Sequence, residues 1–133
     1  MFEAYAHAVA SLGGYAILLV VLTSMSVVGR SDGKRCECGQ VKRDYDDVVY
    51  RRGRAHMNAV ESAAPFIAAV VAAILVGASP FWVNVLASVF LVARVIGAAV
   101  HIGTTSHNLR SLFWFISMLS VLALAVIAVW GAF

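Results

Sequence analysis

Three stretches of this chain are apolar for long enough to cross a bilayer, and no other feature limits its fold as much. Ala4 to Gly29 carries no Asp, Glu, Lys or Arg, Phe81 to Ile102 carries only Arg94, and Ser111 to Phe133 carries none. About 20 apolar residues make a helical span. A fourth run, Ala63 to Ala78, reaches that length only if its helix begins near Arg51 or Arg54. In hydrocarbon every backbone N–H and C=O must be paired within the protein, which leaves helices or a closed barrel. Barrel strands alternate apolar and polar residues, and these runs do not. The expected fold is therefore an all-α integral membrane protein, a four-transmembrane-helix bundle. Its helices should cover about 4–29, 51–78, 81–102 and 110–132, with a loop at 30–50, as one domain over 1–133. Composition agrees: 13% of residues are charged, against about a quarter in ordinary soluble domains. The first run is too long for a secretory signal, and Glu3 stands where such a signal carries Lys or Arg.

Charge sets the orientation. Eight of the ten Lys and Arg residues lie between Arg30 and Arg54, whereas the turn Gly77-Ala78-Ser79-Pro80 has none. By the positive-inside rule the first loop is cytoplasmic. Four spans then put both termini on the opposite side and the link from Gly103 to Leu109 on the cytoplasmic side. Depths can now be compared. Glu61 follows Arg54 by seven residues and Arg94 precedes His101 by seven, so each lies about 10 Å further in at 1.5 Å per residue. The polar groups that enter the membrane all do so through one leaflet.

The faces converge as well. Arg54, Asn58 and Glu61 stand at i, i+4 and i+7, with Arg51 three residues earlier, and so form one stripe. Arg94 and His101 share a face of the third helix, and Arg110 and Trp114 are four apart on the fourth. Charge inside a membrane usually faces a bundle interior or a wet cavity. The simplest arrangement turns the stripes toward one another around a single cavity open to the cytoplasm. One alternative is a self-neutralising network in which Glu61 pairs with Arg94 while the other arginines snorkel to headgroups. One glutamate does not balance several arginines, however, so the cavity should attract an anion.

Arg54-Ala55-His56, Asn58, Glu61 and Pro65-Phe66 form an R-A-H-x-N-x-x-E-x-x-x-P-F pattern. It resembles the second-helix signature of the MAPEG family, the membrane-associated proteins in eicosanoid and glutathione metabolism. The resemblance continues through Pro80-Phe81, through Phe90-Leu91-Val92-Ala93-Arg94-Val95 and to Leu109-Arg110-Ser111, covering roughly Arg51 to the C-terminus. It implies a four-helix protomer in a homotrimer, with glutathione bound between subunits near the cytoplasmic face. The reaction it implies is attack by the glutathione thiolate on a lipophilic second substrate, an electrophile or a lipid hydroperoxide. The positions it assigns to glutathione binding are Arg51, Arg54, Asn58, Glu61, Arg94, His101, Arg110 and Trp114. Arg110 matches the arginine beside the thiol, and Ser111 a serine proposed to assist, so these two are the catalytic candidates. Glu61 is the natural partner of the ligand's α-amino group. The guanidinium fork suits the two carboxylates.

The chain also departs from the pattern. Met57 stands where some members have arginine, His101 and Trp114 where others have tyrosine, and Gly97 where histidine is frequent. These changes loosen the tie to eicosanoid substrates, and the short links resemble a bacterial, inner-membrane member. A non-catalytic scaffold or lipid-binding regulator of the same build is the other class. Cys36-Glu37-Cys38 is a lone C-x-C. A zinc site would need more ligands, and a reducing compartment disfavours a lasting disulfide, so two free loop thiols and no metal are expected. Acids interleave with the basic loop at Asp44, Asp46 and Asp47, which favours contact with membrane lipid headgroups over nucleic acid.

Overall fold

The computed structural model describes residues 2–133. After a 3-10 turn at Phe2–Tyr5 come four α-helices: α1 (Ala6–Val27), α2 (Val48–Leu75), α3 (Pro80–Gly103) and α4 (His107–Gly131). Each is long and apolar enough to cross a membrane, and the protein is an all-α, four-span membrane protein.

The helix ends follow local chemistry that periodicity does not carry. α2 starts three residues before Arg51 because Asp47 caps it, its carboxylate accepting the Val49 N–H at 2.9 Å. Lys34 binds the same carboxylate at 2.9 Å. The Lys34 hydrogen bond, helped by the Val49 N–H, holds the Asp47 carboxyl below its usual range. At its other end α2 stops at Leu75. Gly77 adopts a left-handed φ of 69°, and the Gly77 and Ala78 N–H groups reach back to Ile74 and Ala73 at 3.0 Å each, a Schellman turn. Pro80 then opens α3, where its missing N–H costs nothing. Ser106 accepts the Leu109 N–H and starts α4.

α2 and α3 pack on each other and on both flanking helices, α1 and α4. The centre of the core is a three-ring cluster. Phe66 and Phe90 stack with centroids 3.8 Å apart, and Tyr15 meets both edge-on at 5.5 and 5.0 Å. The Tyr15 hydroxyl donates to the Ala59 carbonyl at 2.5 Å and lies 2.9 Å from Ser62 Oγ, so its polar end is satisfied where no water reaches. Gly14 lets α1 come close to α3, since a Cβ there would lie 2.9 Å from Leu91. Away from the basic loop, Asn84 ties α3 to the N-terminal segment. Its amide donates to Ala4 O at 2.8 Å and its carbonyl oxygen accepts from Ala8 N at 2.9 Å.

The expectation of two loop thiols is corrected: Cys36 and Cys38 form a disulfide. The compartment argument overlooked the turn. Arg35 and Val41 pair as an isolated antiparallel bridge, and Gly39, with φ 80°, folds the chain so that the two Cα atoms stand 5.2 Å apart. That separation lies within the span a disulfide bridges.

Candidate functional site

The buried positions of α2 include Ala55, Ala59, Ser62 and Phe66. Arg54, Asn58 and Glu61 each precede one of the first three by a single residue, so their stripe is turned about 100° from the core-facing one. It therefore runs along the flank of α2, not toward the bundle axis. The single cavity expected from the sequence does not form within one chain, and the stripe parts between two cavities and the outer surface.

Asn58 turns toward α3 and α4. With Arg94, His101, Arg110 and Trp114 it lines a cavity whose remaining walls are Ala55, Ala59, Gly97 and Ala98. The free space is ≈ 10 Å³, about what one water needs. Arg94 and His101 are each only 6% exposed. An Arg94 Nη donates to the Asn58 carbonyl oxygen. Nε2 of His101 and one Nη of Arg110 are buried with no hydrogen-bond partner among the described residues. No Asp or Glu lines this cavity. The walls are close because Gly97 has no side chain: a Cβ there would lie 3.2 Å from Phe113 Cβ. A larger side chain at this position would press on Phe113 of α4.

Tyr45, in the loop, packs against two residues of the cavity wall, His101 and Arg110. Its ring stacks on His101 at 6.3 Å with 27° between planes, and the Arg110 guanidinium carbon sits 4.3 Å from its centroid, within cation–π range. Tyr50 meets its edge at 5.1 Å. Arg51 holds the loop in place, donating to Tyr45 O at 2.6 Å, Asp46 O at 2.9 Å and Ile102 O at 2.8 Å. Sequence reading missed Tyr45 because it lies outside every periodic segment; an aromatic close before Arg51 was the available signal.

The other expected residues lie elsewhere. Arg54 opens on a second cavity of ≈ 390 Å³ with Arg30, Gln40, Val41, Arg43, Tyr50, Gly53, His56 and Met57. Glu61 is exposed on the flank, and the pairing with Arg94 considered as an alternative is absent: Lys34–Asp47 is the ion pair among the described residues. Pro65 lacks the N–H that would pair with the Glu61 carbonyl one turn earlier, so a polar backbone group accompanies this carboxylate. Ser111 is exposed at the start of α4, its Oγ 3.5 Å from His107 Nε2. An apolar groove of ≈ 500 Å³ formed by Ala125, Val126, Val129, Trp130 and Phe133 lies at the far end of α4. Among the described residues no group of three or more His, Cys, Asp or Glu is placed to hold a metal ion.

A small polytopic membrane protein that gathers a buried arginine, Arg94, and a half-buried one, Arg110, around one cavity with no acid in its lining is the class these features define. The MAPEG family profile matches residues 8–130, nearly the whole chain, and the protein belongs to that family. It is thus a membrane protein of the group associated with glutathione and eicosanoid metabolism. No curated protein matches the chain significantly.

Proposed function

We propose that the protein is a glutathione-dependent membrane enzyme that ionises the glutathione thiol for conjugation to lipophilic electrophiles or reduction of lipid hydroperoxides. The observation carrying this reading is the acid-free cavity, with its unpartnered His101 Nε2 and Arg110 Nη. An unpaired buried donor such as the Arg110 Nη is costly, and an anionic ligand supplies what it lacks. Arg110 is the cation beside the sulfur, and Ser111, at the same helix end, is the weaker catalytic candidate. Arg94, Asn58, His101 and Trp114 hold the tripeptide. Arg51 contributes by fixing Tyr45.

A cavity of ≈ 10 Å³ does not admit a tripeptide, so binding requires Tyr45 to move aside and α3 and α4 to part. Arg54 and Glu61 sit on the flank, and a neighbouring copy packed there would complete the site, which supports a homotrimer with shared sites. The closed cavity also gives the second reading its one supporting observation: a scaffold or lipid-binding regulator has no need to open it. Protein purified in mild detergent should have the mass of three chains and bind glutathione with the ultraviolet absorbance of a thiolate. Folded protein that binds no glutathione establishes the scaffold; a monomer that binds it rules out shared sites.

The basic loop faces the cytoplasm in this reading, and both termini face away from it, in the inner membrane of a bacterial host. A reporter inserted near Gly39 should act as cytoplasmic and one fused after Phe133 as periplasmic. The reverse pattern would put the polar cavity at the wrong leaflet.

A further inference from the structure

The Cys36–Cys38 disulfide lies outside everything assigned above. Only one residue separates its cysteines, so the bridge constrains the unfolded chain little, because that effect grows with the length of the closed loop. The turn is already held by backbone. Gly39 N–H donates to Cys36 O at 2.9 Å, Cys36 N–H to Gln40 O at 2.9 Å and Lys42 N–H to Lys34 O at 2.8 Å. A structural staple is thus a poor account of the bond. Cys38 is exposed and Cys36 half-buried, so a dissolved thiol can reach the pair. Arg35, Lys42 and Arg43 stand near the pair, with Lys34 held by Asp47 and the loop's cations balanced by its acids; a cation next to a cysteine favours both an attacking and a departing thiolate.

The cavity next to the hairpin suits a thiol that bears carboxylates. Gln40, Val41 and Arg43, from the same hairpin, form a wall of the second cavity, which Arg30 and Arg54 also line. Its ≈ 390 Å³ falls within the roughly 300–1,000 Å³ of small-molecule sites, and its arginines suit a ligand bearing carboxylates.

We propose that Cys36 and Cys38 form a thiol–disulfide exchange site for glutathione, which docks by its carboxylates in the second cavity. The identity of the thiol and the cytoplasmic placement rest on the function proposed above. In that compartment disulfides are usually transient, serving catalysis or redox sensing. One glutathione thiolate attacks a cysteine sulfur, and the S–S electron pair departs on the other cysteine, whose thiolate takes up a proton. A second glutathione thiolate attacks the mixed disulfide, freeing glutathione disulfide and the remaining cysteine thiolate, which is protonated in turn. Two glutathiones are oxidised and one protein disulfide is reduced; accumulated glutathione disulfide drives the reverse.

The test uses the full chain in lipid nanodiscs, equilibrated over a wide range of glutathione to glutathione disulfide ratios. Samples are quenched by alkylation, and the mass of the loop peptide is read. The peptide should pass from bridged to doubly alkylated within that range. At equal thiolate concentration, reduction by glutathione should be several-fold faster than by uncharged 2-mercaptoethanol, and Arg30→Gln/Arg43→Gln should abolish that preference. Thiolate absorbance in Cys36→Ser/Cys38→Ser reports the helix-bundle site alone, so failure of that reading is told apart from failure of this one. A pair bridged at every ratio, a pair alkylated at every ratio, or glutathione reacting no faster than the neutral thiol overturns the proposal.

Discussion

Arg110→Leu should raise the pH at which glutathione bound to this protein ionises, and turnover should fall with it. Arg110 lies at the start of α4, where a side chain of that length could snorkel to headgroups without consequence. It does not extend that way: its guanidinium lies over the Tyr45 ring, and one of its nitrogens is buried without a partner. A cation held at a fixed place beside a thiol favours the thiolate. Each unit of upward shift costs about 1.4 kcal/mol of preference for the thiolate, and a free thiol ionises near 8.5. At neutral pH the reactive fraction should therefore drop roughly tenfold per unit. Much of the binding should survive through Arg54, Asn58, Glu61 and Arg94. The measurement is thiolate absorbance titrated against pH with glutathione bound, alongside turnover. A folded mutant that binds glutathione with an unmoved titration takes Arg110 out of the mechanism.

The second large effect is expected at Tyr45. Tyr45→Ala should speed glutathione association, because the ring packs on His101 and occupies the Arg110 guanidinium that the proposed ligand needs. A cation–π contact is worth about 0.5–2 kcal/mol, which corresponds to roughly 2- to 30-fold in rate if the contact breaks before the ligand enters. Tyr45→Phe keeps the ring and should bind like the parent protein. Stopped-flow measurement of thiolate formation separates the two variants. If both associate at the parental rate, Tyr45 is a packing residue and the cavity opens elsewhere.

How much of this was legible in the sequence depends on which physics decided each feature. The spans were legible because hydrocarbon thickness demands long apolar helices whatever the packing. Their ends were not, since Asp47 moved one end of α2 outward and Gly77 brought the other inward by local hydrogen bonding. The polar stripe on α2 was legible as a stripe. Its direction was not, although a second stripe of small residues, Ala55, Ala59 and Ser62, stands one position along and marks the buried face. Of the residues expected around one cavity, Asn58, Arg94, His101, Arg110 and Trp114 share one, while Arg51, Arg54 and Glu61 lie outside it. The disulfide escaped because the compartment was weighed and the turn at Gly39 was not.

Glu61 on the flank of α2 makes a solitary copy an incomplete solute for a bilayer. A carboxylate that meets hydrocarbon costs a few kcal/mol, and Glu61 is exposed on this flank. A surface that offers Glu61 a cation or hydrogen-bond donors offsets that penalty on docking, and about 2.8 kcal/mol is two powers of ten in an association constant. Assembly is then linked to whatever neutralises this flank. A bound amine or a facing copy would each shift the same equilibrium by mass action, so a small ligand that pairs with Glu61 would also change how readily copies associate.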